Sequence, residues 1–596
     1  MMKFNRWAAW LTTMALIFAW SVAPASAQLT RGFISGIVSD SSGAVLAGVE
    51  VTITNTATNI SRDTITNDTG LYRFAAVEPG DYRVEFKLAG FETQRIDAVS
   101  VDTAQEKTLN QTLKVGGVNS EVLVTAIPGA ELSKTTATIE RTFQGSLIED
   151  LPLQTNSSGF RDTTRIAFLA PNVTRAPGQN GFAVSGQRSR NNNFMLDGID
   201  NNDYTVTLDA VRIVPEAVSE IQVQTTTYSA EFGRNTGAQF SAVTKSGTNA
   251  FHGEGWEFYR GNWMEPISLT NKRAGINRTP RFDVNEFGGD AGGPIFKNRT
   301  FFFGLIDWDH RREAASAGNS TSANIPTPAG YAALSTIPLL SGQTQASRQA
   351  VLSALSFLPQ IYPQVLNFSN LQNVPINNTP IQVGTINIAL PQPYNFFNNV
   401  VRIDHKLSNR DDLSYRYYLD KRNQPNVTDN KQFGTKYTAS QAIFRQNHAL
   451  SYTRVVNAHF LNEARMAYVR SNFQFTENDP TDSTVTISNF FTIGGLNTFP
   501  QGRFDHTWQY QDVASYTLGR NAVKFGFDLR RYWLNSLTAT DSKGTWAFST
   551  LAAFINNSAT SLTQAINTTS FVATEWDHAY FFQDDLKATK NLTLNL

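Results

Sequence analysis

The chain after Ala250 is dominated by segments in which apolar and polar side chains alternate one by one. In Val523–Arg530 the residues Val, Phe, Phe and Leu alternate with Lys, Gly, Asp and Arg, and Leu413–Asp420 has the same period of two. This period places the apolar side chains on one face of a β-strand and the polar ones on the other. A soluble β-sandwich satisfies the pattern, and so does a transmembrane β-barrel with one face toward lipid and the other toward a polar lumen. The rest of the chain must decide between them.

Composition favours the barrel. Charged residues make up 17% of the 596-residue chain, below the roughly 25% of soluble proteins, whereas aromatic residues make up 12%. Lysine plus arginine and aspartate plus glutamate number 50 each, and this neutral balance argues against nucleic acid as a partner. The absence of cysteine excludes thiol catalysis, disulfide bonds and thiolate metal sites.

The N-terminus has the features of a cleaved secretory signal. Lys3 and Arg6 precede the apolar segment Trp7–Trp20, and Ala25–Ala27 matches an A-x-A cleavage site. The apolar segment is shorter than the roughly 20 residues that a membrane-spanning helix needs, and no later segment has such a stretch. We therefore predict a signal peptide over residues 1–27 and export of the rest.

Residues 28–114 form a run of short strand patterns separated by turn residues, which is typical of a β-sandwich. In Tyr82–Phe86, Tyr, Val and Phe alternate with Arg and Glu, and we expect Gly70 to take a positive φ at a turn. The segments Gly36–Thr52 and Asn67–Phe74 resemble motifs of the carboxypeptidase-regulatory-like domain, which has a carbohydrate-binding-like fold. The resemblance implies a sugar-binding module. A periplasmic spacer or docking domain is the alternative, because fold does not determine function.

Residues 128–249 combine the β-patterned segments Ile221–Val223 and Gln239–Val243 with long loops rich in Gly, Asn and Asp, which predicts a small mixed domain. This domain resembles the plug of TonB-dependent outer-membrane receptors, specifically the Oar-like branch, which carries an N-terminal carboxypeptidase-regulatory-like domain. The resemblance lies in three blocks, Gly181–Asp203, Ile213–Gln224 and Glu231–Gly247.

The resemblance implies a mainly β fold with an N-terminal β-sandwich, a mixed α+β plug, and an incomplete antiparallel transmembrane β-barrel over residues 250–596. Enclosing a plug takes about 22 strands, whereas this region supplies roughly ten to twelve. An open sheet would leave a bare edge in lipid. We therefore expect the chain to be a fragment that contains the N-terminal part of the barrel.

Polar residues of the plug concentrate at Arg188 and around Asp197, Gly198 and Asp200, which we identify as a plug motif. An alternative for the aspartates, together with Asp203, is a calcium loop. Their spacing departs from the EF-hand pattern, so a hydrogen-bonded turn is favoured. Arg188 and Arg190 are expected to pair with carboxylates on the barrel wall.

A flexible link over residues 115–127 joins the sandwich to the plug. It contains a Val/Thr-rich segment that resembles a TonB box, formed by Glu121, Val122, Leu123, Val124, Thr125 and Ala126. An extended strand there can add to the sheet edge of the periplasmic protein TonB by β-augmentation. The alternatives are that these residues form the last strand of the sandwich or the first strand of the plug.

The sequence carries no convincing catalytic motif. His310 and Glu313 form an H-x-x-E pair like that of zinc carboxypeptidases, but the other histidines show no third-ligand context. G-x-S-x-G, Walker A and G-x-G-x-x-G motifs do not occur. We therefore predict no enzyme activity, no cofactor and no resident metal.

The combined expectation is a TonB-dependent receptor or transporter of the outer membrane, which moves a large substrate with energy from the inner-membrane TonB system. Its partners are TonB, outer-membrane lipid and an unidentified extracellular substrate such as a glycan, peptide or protein. The resemblance implies that substrate binds at the plug apex and at extracellular loops, for which Ala314–Tyr394 and Asp479–Asp505 are the candidates. The alternative is an exported multidomain β-sandwich adhesin or carbohydrate-binding protein without a barrel.

Overall fold

A computed structural model describes residues 31–103, 106–116, 121–125, 138–151, 161–176, 181–205, 208–233, 235–267, 269–273, 279, 282–314, 322–365, 368–387, 391–427, 433, 435–566, 570–589 and 592–596. The expected signal peptide, residues 1–27, lies outside these ranges. No helix within them is long and apolar enough to cross a membrane.

The N-terminal region folds into a β-sandwich, as its turn pattern predicts. Its strands are β1 (Gly32–Asp40), β2 (Glu50–Asn55), β3 (Ser61–Ile65), β4 (Leu71–Val77), β5 (Gly80–Lys87), β6 (Thr93–Val101), β7 (Glu106–Thr108) and β8 (Gln111–Leu113), and the linker adds β9 (Glu121–Thr125). One sheet has the order β4, β1, β7, with β8 also paired to β1, and the other has the order β3, β2, β5, β6, β9.

The sandwich core confirms the predicted alternation. Tyr82, Val84 and Phe86 are buried in one apolar cluster. Gly70 has a φ of +70°, and a Cβ there would lie 2.7 Å from the carbonyl oxygen of Val38. A side chain at this turn would therefore be both strained and crowded, which accounts for the glycine.

The plug is a small mixed α+β domain. Its strands are β10 (Ile139–Gln144), β11 (Val173–Arg175), β12 (Phe182–Val184), β13 (Asn193–Leu196), β14 (Ile199–Asp200), β15 (Val218–Thr226) and β16 (Gln239–Thr244). A helix covers Gly145–Asp150, and 3-10 turns cover Thr163–Leu169, Ser189–Asn191 and Pro215–Ala217. The main sheet has the order β10, β15, β16, β13, β14, and β11 pairs with β12. Both predicted β-patterned segments lie in it, in β15 and β16.

The region after Ala250 forms a large antiparallel sheet. Among the described residues it contains eleven strands, within the expected ten to twelve. In sheet order they are β17 (His252–Gly261), β18 (Phe282–Phe296), β19 (Thr300–Ala314), β23 (Pro391–Ser408), β24 (Asp411–Gln424), β25 (Ala439–Val455), β26 (Phe460–Glu477), β29 (Gln501–Leu518), β30 (Asn521–Thr538), β33 (Ser570–Thr589) and β34 (Leu592–Asn595). A helix at Leu269–Arg273 and a 3-10 turn at Asn262–Met264 lie between β17 and β18.

The long strands of this sheet bury their polar face. On β30, Lys524, Asp528 and Arg530 are buried, whereas Phe525 and Phe527 on the opposite face are partly exposed. β24 has the same pattern. This is the reverse of a soluble β-protein and agrees with the predicted sheet that faces lipid on its outer side.

The sandwich lies at the short-turn end of the sheet. Phe33 of β1 shares a buried apolar cluster with Leu461 and Val513, which lie near the short turns. The side-chain amide of Asn67 donates to the carbonyl oxygen of Gly519 at 3.0 Å. The sandwich therefore occupies the end of the sheet that the resemblance implies is periplasmic.

The long connections at the opposite end fold into a module, here called the cap. Its strands are β20 (Ser322–Pro326), β21 (Ser369–Ile376), β22 (Thr379–Asn387), β27 (Thr484–Ile487), β28 (Phe491–Ile493), β31 (Thr545–Phe548) and β32 (Ser561–Thr563). Its helices are Pro328–Ala333, Gln345–Ser353, Leu358–Ile361 and Leu551–Ile555, and its 3-10 turns are Leu334–Thr336 and Tyr362–Gln364. β27 runs parallel to β31, which joins two connections that are far apart in the sequence.

The cap has its own apolar core, in which Leu355, Leu358, Phe491 and Phe554 are buried together. The segments predicted as extracellular loops, Ala314–Tyr394 and Asp479–Asp505, therefore contribute helices and strands to a folded module. Apolar residues in these segments follow no regular period, so the sequence did not indicate that they converge.

We expect Leu529→Arg to destabilise the folded sheet in a lipid membrane by about 2–4 kcal/mol, because an arginine near the middle of a lipid-facing strand loses its hydration. Urea unfolding of the chain in lipid vesicles, followed by heat-modifiable mobility, measures the change. Leu529→Phe is the control and should unfold like the unchanged chain. Equal stability of the arginine variant would show that this face meets water.

Candidate functional site

The plug motif forms a tight turn that presents a carboxylate to the sheet. Asp197 and Gly198 connect β13 to β14 and have φ values of +51° and +74°. Asp-Gly with two positive φ angles is the sequence that a two-residue hairpin turn requires. The Asp197 carboxylate accepts hydrogen bonds from Arg416 Nε at 2.9 Å and from the backbone N–H of Thr244 at 2.8 Å. The turn thus fixes the plug to β24.

Two further plug aspartates make equivalent contacts with other strands. Asp200 is buried and pairs with Arg530 of β30 at 3.1 Å. Its backbone N–H donates to Gln509 Oε1 at 3.0 Å. Asp203 pairs with Arg503 of β29 at 3.5 Å. Three carboxylates within one short segment are therefore held by arginines from three strands.

These contacts decide between the alternatives for the aspartates. Asp197, Asp200 and Asp203 each have a guanidinium group as partner, which disfavours a cation in the same place. No cluster of three or more potential metal ligands occurs in the described part of the chain, at His310 or elsewhere. The aspartates belong to a network of hydrogen bonds and ion pairs.

Arg188 lies away from this network. It precedes a 3-10 turn and is exposed, as is Arg190, and no ion pair joins either residue to another described residue. The expectation that these arginines pair with carboxylates on the barrel wall is therefore wrong for the described residues. At Asp197, Asp200 and Asp203 the polarity is the opposite, since the plug supplies the carboxylates and the sheet supplies the arginines.

Sequence reasoning missed several other contacts between plug and sheet. Arg161 pairs with Glu286 of β18 at 2.9 Å and with Glu216 of the plug at 2.7 Å. The backbone N–H of Val214 donates to the Tyr418 hydroxyl at 2.9 Å. In each contact with the sheet the partner lies far away in the sequence, and no local pattern could have indicated it.

The predicted TonB box is a strand, here called the coupling strand and formed by β9 (Glu121–Thr125); Ala126 lies outside the described residues. It runs parallel to β6, with Thr93 opposite Glu121 and Asp97 opposite Thr125. In the structure these residues therefore form the last strand of the sandwich, which was one of the two alternatives. Binding to TonB stays a prediction.

Acidic side chains meet where the sandwich contacts the plug. Glu220 is buried, and its carboxylate accepts a hydrogen bond from the backbone N–H of Thr103 at 2.6 Å. Burial, and then the charge of Asp102, raise the pKa of Glu220 to about 8. Burial likewise raises the pKa of Glu140 to about 7, although a hydrogen bond from Gln224 opposes the shift. The contact between sandwich and plug is therefore more stable when the carboxyl groups of Glu220 and Glu140 are protonated.

A cavity of about 180 Å³ lies where the sandwich, plug and sheet meet, and Arg62, Arg402 and Asp404 are among its lining residues. Arg402 pairs with Asp404 at 3.0 Å and donates to the carbonyl oxygen of Thr244 at 2.9 Å. The guanidinium group of Arg402 thus links the sheet to the plug at this cavity.

Comparison with known proteins identifies the family. The sequence model of the family described as "Outer membrane beta barrel domain" matches residues 243–596, more than half of the chain. The chain belongs to this family. A second model, "Carboxypeptidase regulatory-like domain", matches residues 33–114 and covers the sandwich. Membership of this family places the chain in the outer membrane. It rules out the alternative of an exported adhesin without a barrel. The family is not one of enzymes.

The chain is also similar to individual transporters. It is 27% identical over 262 residues to the TonB-dependent transporter Oar of Myxococcus xanthus, a match that covers 43% of this chain and 24% of Oar. Its structure is similar to that of the outer membrane transporter YddB of Escherichia coli, with a TM-score of 0.50 and 11% identity over 75% of this chain and 54% of that chain. The second likeness shows the fold alone.

The chain therefore spans about a quarter of Oar and about half of the YddB chain. The resemblance inferred from the plug blocks, to Oar-like TonB-dependent receptors with an N-terminal carboxypeptidase-regulatory-like domain, is confirmed. So is the mainly β fold class that it implied.

We expect Arg530→Met to weaken the binding of the plug to the sheet by about 3–5 kcal/mol, because the substitution leaves Asp200 and Asp528 buried without their cation. The rate of proteolysis of the plug in the membrane-embedded chain measures the effect. Arg531→Met is the matched control, since it changes the exposed neighbour. Equal sensitivity of the two variants would contradict the role of the buried pair.

The junction between sandwich and plug should weaken as pH rises. The pKa of Glu220 increases on folding from 4.5 to about 8. Between these values the unfolded chain releases a proton that the folded chain keeps, so the free energy of unfolding falls with rising pH. We expect Glu220→Gln to flatten this dependence between pH 5 and about pH 8 in urea titrations. A slope unchanged in the variant would contradict this assignment.

Proposed function

We propose that the chain is part of a TonB-dependent outer-membrane receptor or transporter, which takes up or translocates a large substrate with energy supplied through TonB. The observation that carries this proposal is the seating of the plug, in which aspartates pair with arginines on the buried face of the sheet. The proposed domains are the signal peptide (1–27), the sandwich (28–114), the linker with the TonB box (115–127), the plug (128–249) and the barrel region (250–596).

The coupling strand precedes the plug strand that is easiest to remove. β10 forms one edge of the plug sheet, where it pairs with β15 from Ile139 opposite Thr226 to Gln144 opposite Glu220. A pull that arrives from the N-terminal side reaches Ile139 first. The pair then separates one position at a time, which needs less force than breaking all of its hydrogen bonds together. Loss of β10 exposes β15 and begins the remodelling of the plug.

The substrate side of the proposed receptor is the cap, together with the plug surface beneath it. The cap lies at the end of the sheet opposite the sandwich, where the resemblance implies the cell exterior. A folded module offers a broad binding surface, which suits a glycan, peptide or protein better than a small ion. Sugar binding by the sandwich stays a prediction.

Val124→Pro tests the coupling strand. Proline removes a backbone N–H that β-augmentation needs, so we expect affinity for the purified periplasmic domain of TonB to fall by about tenfold or more. Val124→Ile keeps the backbone donor and is the matched control. Titration of the full chain with that domain gives both affinities. Equal affinity of the two variants would remove Glu121–Ala126 from the proposal.

A further inference from the structure

We propose that the sandwich and the sheet together form a binding site for one small inorganic anion of the size of chloride. The site is a cavity of about 20 Å³, here called the Arg73 cavity, where β3 and β4 of the sandwich meet the short-turn ends of β26 and β29. Its lining includes Arg62, Thr64, Arg73, Phe460, Ser515 and Thr517. A bound anion holds the sandwich on the sheet, so the proposal goes beyond substrate transport and does not depend on it.

Arg73 is buried because both faces of β4 are covered. Tyr72 and Phe74 pack into the core of the sandwich, so Arg73 between them lies on the opposite face of the strand. Ala75, on the same face as Arg73, packs against the apolar cluster that contains Val513 of the sheet. Only 7% of Arg73 is exposed. Its charge is therefore enclosed between the sandwich and the sheet.

The guanidinium group of Arg73 has donors without acceptors. Neither Nε nor Nη1 donates a hydrogen bond to any described residue. The group lies 4.7 Å from the centre of the Phe33 ring, a contact that supplies no strong hydrogen-bond acceptor. Arginine keeps its proton in proteins, so it cannot avoid the cost of burial by becoming neutral. A buried guanidinium group in this position needs an acceptor, and a negatively charged one compensates it best.

A second cation and a hydroxyl group line the same cavity. Arg62 Nη1 donates to the carbonyl oxygen of Ala76 at 3.0 Å, whereas its Nε finds no acceptor in the described part of the chain. The hydroxyl group of Ser515, which is 3% exposed, also lacks a described partner. The cavity thus collects hydrogen-bond donors and positive charge from both the sandwich and the sheet.

The neighbouring carboxylates are engaged by other groups. Among the described residues, neither arginine of the cavity forms an ion pair with a carboxylate. Glu106 pairs with Lys587 at 3.5 Å. Asp63 belongs to the cavity lining, but it is exposed and accepts a hydrogen bond from Thr52 at 3.0 Å. The positive charge of the cavity is therefore not neutralised from within the chain.

The volume of the Arg73 cavity selects the kind of anion. A cavity holds one water molecule when it offers about 10–15 Å³ to a water-sized probe. About 20 Å³ accommodates a halide ion, which is little larger than water, and is too small for phosphate or for an organic acid. Water is the alternative occupant. It would accept hydrogen bonds but would leave the charge of both arginines uncompensated, so a halide ion is favoured.

The first experiment locates the ion. Bromide replaces chloride in size and charge and is visible by anomalous X-ray scattering. In crystals of the full chain grown in a bromide salt, we expect an anomalous difference peak within hydrogen-bond distance of the Arg73 guanidinium group. The peak should be absent from crystals of Arg73→Met. A bromide-soaked structure of the unchanged chain without a peak at Arg73 would overturn the proposal.

The second experiment measures the effect of the ion on the contact in solution. Val513 is fully buried in the cluster that joins sandwich and sheet, and the chain has no cysteine, so Val513→Cys supplies a single thiol that reacts only when the contact opens. An anion that binds the closed contact slows the labelling of this thiol. We expect a decrease of about tenfold at a chloride concentration about ten times the dissociation constant. Bromide should act like chloride. Gluconate at equal ionic strength controls for screening and should have no such effect.

Two arginine variants in the Val513→Cys background separate ion binding from a general loss of charge. Arg73→Met should abolish the difference between chloride and gluconate. Arg83→Met is the matched control, because Arg83 lies in the same sandwich but pairs with Asp97 at 3.0 Å, and it should keep the full chloride effect. Equal labelling rates in chloride and gluconate with Arg73 intact would identify water as the occupant and overturn the proposal, as would a chloride effect that persists in Arg73→Met.

Discussion

Charge compensation on the buried face of the sheet is the condition on which the rest of this structure depends. Arg416 and Arg530 point away from lipid and would be costly to bury without carboxylates beside them. Asp197 and Asp200 of the plug supply those carboxylates. Because the plug neutralises these arginines on the inner face of the sheet, the charged side chains can lie there and the outer face can be apolar. Plug and sheet are therefore parts of one electrostatic unit, and any displacement of the plug leaves these arginines to be solvated by water.

The sandwich adds a second contact layer at the short-turn end of the sheet. Arg31 of the sandwich forms an ion pair with Glu463 of β26. The backbone N–H of Thr103, which follows the sandwich strand β6, donates a hydrogen bond to Glu220 of the plug. Together with the ion pairs between plug and sheet, these contacts join each of the three parts of the chain to both of the others. Loosening one contact therefore changes the load on the other two.

Much of the fold could be predicted from local pattern. The alternation in Val523–Arg530 and Tyr82–Phe86 indicated both the strands and the faces that they bury. The Asp197-Gly198 turn follows from the same kind of local rule, because the dipeptide itself favours the required φ angles. Resemblance to a family supplied the domain order, which alternation alone could not.

The partners within the site could not be predicted. Nothing near Asp200 indicates that Arg530 will neutralise it, and the ion pair expected for Arg188 does not occur among the described residues. Electrostatic pairing depends on which strands the sheet brings beneath the plug, and a single sequence does not contain that register. The cap was missed for a related reason, since its core joins residues as distant as Leu355 and Phe554 without any period in either segment.

The parallel pairing of β27 with β31 has a mechanical consequence. It joins the excursion before the β29–β30 hairpin to the excursion after it, so neither can swing aside alone. Any outward movement of the cap must therefore tilt both excursions together about the ends of the strands that carry them. A substitution in one excursion has to remain compatible with the other across the pairing of β27 with β31.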